Sequence, residues 1–328
     1  MFSRTVPSLT QAAGMLLALA LLAGGEPIAT AAAQSQPPQA AAGGPPGGRS
    51  AFGPWFFGLS GGALHQYRTN LKDKPGDFSV NRGFIQGSAG YAWDRRTRVA
   101  LSIGGGQSSY DFADTVSIAG GKPWGRIRDA RLSLPVFFGV ADRGTAIVIP
   151  TVRSYAEQGA SLDDGRTEGL LLGLGWRFSD RLEIGPGVGW FSEIGDSSNI
   201  FPILVIDWDI NDRLKLSTGR GLAASQGPGL TLDWRVSKKV SLGITGRYER
   251  VRFRLDDKGA VPNGIGEDRS LPLILTFGFS PTPKINISAF AGAEFAGELR
   301  VRTPSGENIE KVEYDPAPVV GLAFRARF

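Results

Sequence analysis

Few residues in this chain could do bond-making chemistry. There is one histidine and no cysteine in 328 residues, so thiolate nucleophiles, thiolate metal sites and disulfides are excluded. Histidine-based catalysis would fall to His65, in Leu64-His65-Gln66-Tyr67. An activated nucleophile needs a partner within hydrogen-bond reach, and no local His-with-Ser pattern stands here, so His65 reads as an ordinary residue near a strand end. Gly104-Gly105-Gly106 lacks the Lys-Ser/Thr continuation and the helix of a phosphate loop. The pairs Asp163-Asp164 and Asp256-Asp257 fall short of a full oxygen shell for a divalent cation and read as solvated loop tips. No catalytic, cofactor or metal residue is assigned, and the chain is not expected to be an enzyme.

Two arrays of charge remain. Arg247, Arg250, Arg252 and Arg254 could pair bidentately with phosphate or carboxylate at an anion-binding rim. Glu249, Asp256, Asp257, Glu267, Asp268, Glu294 and Glu298 are near enough in the chain order to favour a salt-bridge ladder instead. The second array is Glu183, Asp207, Asp209, Lys215, Asp233, Arg235, Arg325 and Arg327, each alternating with apolar neighbours close to a short turn. Such a set could line one mouth of a pore, setting its selectivity or sealing it.

The elements that must carry these arrays are strands. Leu182, Ile184, Pro186, Val188 and Trp190 alternate with Arg181, Glu183, Gly185, Gly187 and Gly189, and Leu271 to Phe279 repeats the pattern. Each run is about the ten residues a tilted strand needs to cross a bilayer. No long apolar stripe at helical spacing appears, and 46 glycines and 21 prolines oppose helices. Short polar turns at Asp94-Arg95, Asp142-Arg143, Asp180-Arg181, Asp212-Arg213, Ser237 to Lys239 and Pro281 to Pro283 alternate with longer, polar connections.

Just before those short turns stand Trp93, Phe138, Trp176, Trp208, Trp234, Phe277 and Phe324, spaced as an interfacial aromatic girdle requires. The chain ends on Phe328, with Ala326, Phe324, Leu322 and Val320 on one side of the last strand and Arg327, Arg325, Ala323 and Gly321 on the other. A terminal aromatic of this kind suits an assembly signal. Seven hairpins give an all-β, transmembrane, antiparallel up-and-down β-barrel of about 14 strands, with 12 as the next closure. Two segments, Ala146 to Tyr155 and Asn199 to Ile210, are apolar on both faces, as strands pressed against a plug, a constriction or apolar cargo would be.

Residues 1–33 have the order of an export signal: Arg4, an apolar core too short to span a membrane, then small residues to Ala33. Residues 34–52 are rich in Pro, Gly and Ala and read as a flexible periplasmic segment, leaving 53–328 for the barrel. The formal charge of +5 comes from dispersed basic residues with acidic neighbours, which argues against a nucleic-acid partner.

On the terminal Phe and the aromatic-flanked hairpins, the chain resembles bacterial outer-membrane β-barrels. The runs Asp212 to Leu222, Arg247 to Arg254 and Gly266 to Arg269 are similar to a group of such barrels that share a domain of unknown function. The resemblance implies location in the outer membrane of a Gram-negative bacterium after export. Its implied partners are outer-membrane lipids, lipopolysaccharide and the barrel-assembly machinery, and it transfers no site residues. The expected function is a porin-like passive pore for small solutes, and the alternative is a non-conducting interaction barrel binding envelope components through its external loops.

Overall fold

The computed structural model describes residues 53–195, 197–218 and 229–328. The expected export signal and the 34–52 segment lie outside the described residues.

Alternating side chains and frequent β-branched or aromatic residues drive nearly the whole described chain into strands. In order they are β1 (Trp55–Asn70), β2 (Asp77–Ala92), β3 (Arg98–Phe112), β4 (Arg126–Ser133), β5 (Val136–Val140), β6 (Gly144–Glu157), β7 (Arg166–Ser179), β8 (Leu182–Glu193) and β9 (Ser197–Asp209). The second half continues with β10 (Leu214–Thr218), β11 (Gly229–Arg235), β12 (Val240–Arg247), β13 (Glu249–Arg254), β14 (Ile265–Thr282), β15 (Ile285–Arg302), β16 (Asn308–Tyr314) and β17 (Ala317–Arg327). Among the described residues the one helical element is a 3-10 turn at Asp163–Gly165.

These runs make fourteen staves, because three staves are interrupted. Pro135 separates β4 from β5 and Pro316 separates β16 from β17, each lacking the N–H a continuous ladder needs; β12 and β13 part at Tyr248. Neighbouring staves are antiparallel, and β1 pairs with both β2 and β17, from Gly58↔Arg327 to Gln66↔Val319. The seam ends where Phe328 N–H donates to the Phe57 carbonyl at 2.9 Å and Phe57 N–H to Phe328 at 3.2 Å. The seam pairs the first stave with the last, as hydrocarbon demands, where each bare backbone group costs several kcal/mol.

The outer surface settles which solvent the barrel faces. Ile200 is 67% exposed, Leu275 61% and Leu322 61%, and large apolar residues repeat this on most staves. A continuous apolar belt of that extent belongs in lipid, not water. Short turns mark the periplasmic end, where both termini of the barrel lie, and longer connections mark the extracellular end. Above the belt, β14 and β15 are re-aimed by irregularities between Arg269 and Leu271 and at Ala296, whose φ is 48°, as bulges do. A buried cluster then fills the inside of the extracellular end, including Phe78, Phe112, Trp124, Phe253, Leu299 and Tyr314. A smaller one, Leu64, Ile274, Phe290 and Val319, lines the membrane-level wall.

Candidate functional site

Alternation along each stave sends Glu183, Asp207, Asp209, Lys215, Asp233, Arg235, Arg325 and Arg327 inward at the periplasmic end. Registry brings the first group together: Glu183 opposes Asp207, and Lys215 lies between Asp209 and Asp233. Lys215 Nζ bridges to Asp207, and to Asp209 at 3.4 Å. The acids therefore gather on β8 to β11, whereas Arg325 and Arg327 stand on β17, five staves round from β10. Arg98 projects from β3 over the Phe137 ring at 4.1 Å. On the lipid side of the same end, Trp93, Phe138, Trp176, Trp208, Trp234, Phe277 and Phe324 are all exposed, and Trp55 and Tyr91 join them in edge contact at 5.1 Å.

The extracellular end is built differently. Past the lipid belt, β13 and the start of β14 lean across the mouth until Arg254 forms a parallel bridge with Ala156 of β6. The inner face of this hairpin carries Val251, Phe253 and Leu255. Phe253 meets Trp124 edge-on at 4.9 Å, and Trp124 meets Tyr110 at 5.7 Å, so the β3–β4 connection is folded into the same cover. Glu157, the last residue of β6, accepts the Gly125 N–H at 2.7 Å and the Asp256 N–H at 3.1 Å. Burial pushes its carboxyl above the usual range, against the pull of those two donors. From the other side the β8–β9 turn closes in. Gly195 lies against Ile265 and Gly306 with no room for a Cβ, at a φ of 95°.

The sequence groups the four arginines as one array; the structure divides them. Because the hairpin crosses the mouth, its apolar residues face inward, and Arg250 and Arg252 occupy the opposite face. There Arg250 holds Glu193 and Glu267, each at 2.9 Å, and Arg252 holds Glu267 at 2.6 Å and also bridges Glu193. Burial alone would raise the Glu267 carboxyl, but Arg250 and Arg252 outweigh it and bring it down to about 2. Arg247 points inward and pairs with Glu249 at 2.8 Å. Arg254 donates to the carbonyls of Asn263 (2.7 Å) and Asp164 (3.2 Å).

The acids divide as well. Glu298 serves Arg269, Arg300 and Lys311. Asp268 and Glu294 serve Arg82 at 3.0 and 2.8 Å, and Asp268 also accepts from Tyr110 and Tyr314 at 2.7 and 3.1 Å. Beneath this cover a cavity of about 30 Å³, bordered by Arg82, Tyr110, Asp129, Arg131, Tyr155 and Glu249, has room for about one water. Arg82, Glu157 and Glu193 were missed in the sequence because each finds its partner on a distant stave.

The remaining candidates fall on plain positions. His65 is on the outward face, its Nδ1 2.8 Å from Asn81 Oδ1 and its ring edge-on to Tyr67. Asp163 and Asp164 form the 3-10 turn, and Asp256 Oδ1 accepts the N–H groups of Lys258 and Gly259 at 2.9 and 2.8 Å. The two-faced apolar segments do turn apolar residues inward, Ile147 and Ile149 on β6 and Phe201, Ile203 and Val205 on β9.

No family model and no curated protein matches this chain, so the narrower resemblance to barrels sharing a domain of unknown function finds no support. Several solved outer-membrane proteins are similar to it. An outer membrane channel from Pseudomonas putida F1 is similar over 86% of this chain and 99% of its own, at 11% identity and a TM-score of 0.46. The translocator domain of autotransporter NalP from Neisseria meningitidis is similar over 83% and 88%, at 14% identity and 0.37. A FadL homologue from Pseudomonas aeruginosa is similar over 83% and 89%, at 11% identity and 0.33.

Proposed function

We propose that this chain is an outer-membrane channel for small solutes, with a periplasmic mouth that polarises the path and an extracellular mouth crossed by a movable hairpin. The observation that carries this reading is the segregation of charge at the inner mouth. The four acids on β8 to β11 outnumber Lys215 and Arg235 among them, while Arg325 and Arg327 stand on β17, an arrangement that sets up a field across a lumen and orders dipolar or ionic solutes passing through it. A barrel filled for support alone has no use for such a division. Fourteen staves enclose a bore between those of side-chain-filled barrels and of wide porins. The hairpin makes transport conditional, since its tip must leave β6 for a solute to enter from outside.

The cover itself favours a second reading, a non-conducting barrel that presents its extracellular end to an envelope component. Planar-bilayer recordings of the purified protein separate the two. Discrete openings, more frequent when residues 256–263 are deleted, support the channel; silence from both forms at every voltage leaves the interaction barrel.

A further inference from the structure

We infer that the outward face of β4 holds a phosphate group of an outer-leaflet glycolipid of the lipid A class, with Arg126 and Arg128 as its ligands. Alternation along β4 turns Leu132, Ala130, Arg128 and Arg126 to the outside, and both arginines are exposed. The stave thus passes from an apolar side chain to two cations without leaving its lipid-facing side.

Their height follows from strand geometry. Arg128 opposes Gln107 and Arg126 opposes Ser109 on β3, while Val99 on the same strand opposes Tyr91 of the periplasmic girdle. With a rise of about 3.3 Å per residue and a tilt of about 40°, Gln107 stands about 20 Å and Ser109 about 25 Å above that girdle. The apolar band of an outer-membrane barrel is about 25 Å tall. The two guanidinium groups therefore bracket the outer polar boundary, where lipid phosphates lie.

What separates them from their neighbours is the lack of a protein counter-charge. Other outward cations at this end are matched: Arg68 by Asp77 and Asp111, Arg166 by Glu168, and Arg269, Arg300 and Lys311 by Glu298. Among the described residues, neither Arg126 nor Arg128 has a carboxylate within 4.0 Å. Arg128 spends one N–H on the Ala160 carbonyl at 3.0 Å, and the planar fork has four more donors. Beside them on β3, Gln107 and Ser109 are joined at 3.2 Å and add neutral hydrogen-bonding groups. Below, Gly83 and Gly105 leave the lipid-facing wall low, so an acyl chain can lie beneath its headgroup. Arginine pairs with phosphate bidentately and with little loss of preorganisation.

The test is native mass spectrometry of the detergent-purified barrel titrated with diphosphoryl lipid A, with phosphate-free lipid A as the second probe. Heat-modifiable gel mobility checks that each variant is folded. The wild type should retain one diphosphoryl lipid A, and Arg126→Gln with Arg128→Gln should weaken that retention about tenfold or more. Arg68→Gln, which removes a matched cation at the same end, should leave it unchanged. Equal retention by the wild type and the folded double variant, or equal retention of the two lipids by the wild type, overturns the assignment. None of these readouts depends on conductance, so this site stands or falls separately from the channel.

Discussion

At the periplasmic mouth Lys215 is 20% and Asp209 46% exposed; at the extracellular mouth Arg250 is 10% and Glu267 1% exposed. The same kinds of side chain are used to opposite ends. Exposed pairs in high dielectric contribute little to stability and leave their field to act on whatever passes. Withdrawn pairs dominate their surroundings, because losing one partner strands a charge away from water. The inner pairs keep contact with water, as the proposed channel needs, and the outer pairs hold a shape. The difference follows from what lies behind each charge, since the inner ring backs onto a girdle of rings in lipid, whereas the outer pairs are sandwiched between a hairpin and the β8–β9 turn.

The contrast can be broken most severely by deleting residues 256–263, the tip that reaches β6. Conductance should rise from rare openings to a sustained level, read in planar bilayers. Next in size is Glu267→Ala, which leaves Arg250 and Arg252 to share Glu193 and takes from Arg302 its carboxylate at 3.6 Å. A loss of about 3–5 kcal/mol in docking of the hairpin is expected, seen as earlier proteolysis of the β13–β14 connection and a higher open probability.

Acid sharpens the comparison. Glu267 has its folded value near 2 and an ordinary one near 4.5 when unfolded, so its stabilising effect is full above about pH 4.5 and is lost as pH falls toward about 2. Glu157 is shifted the other way and neutralises first. Protonation of Glu157 therefore favours the docked hairpin, so open probability should first dip on acidification and climb only as Glu267 is neutralised, and Glu157→Gln should remove the dip while sparing the climb.

Smaller still is Asp207→Asn with Asp209→Asn, which should change stability by no more than about 0.5 kcal/mol yet shift the reversal potential in a salt gradient toward anion preference. At the bottom of the scale, His65→Ala should leave conductance and stability unchanged within about 0.5 kcal/mol.

Much of the inner mouth was legible in the sequence and little of the outer one. Period-two alternation from Leu271 to Phe279 and rings such as Trp208 and Trp234 before short turns determine both which face meets lipid and the depth of the girdle. Charges embedded in that alternation, such as Asp207 and Arg325, are inward by the same rule. The cover depends on meetings between staves far apart in the chain. Nothing local to Glu193 announces Arg250, and nothing local to Ala156 announces Arg254. One signal was present, since Val251, Phe253 and Leu255 carry the apolar alternation beyond the length a bilayer needs. A strand that stays apolar after leaving lipid must bury that face against protein.

The crossing hairpin is tested most directly by tying its tip down. The chain has no cysteine, so Ala156→Cys with Arg254→Cys introduces a single thiol pair at the two partners of the parallel bridge, the adjacency a disulfide needs. Oxidation should form the intramolecular crosslink in the membrane-inserted protein and silence its openings, and reductant should restore them. Failure of the crosslink to form, or an oxidised barrel that conducts like the reduced one, would contradict the account.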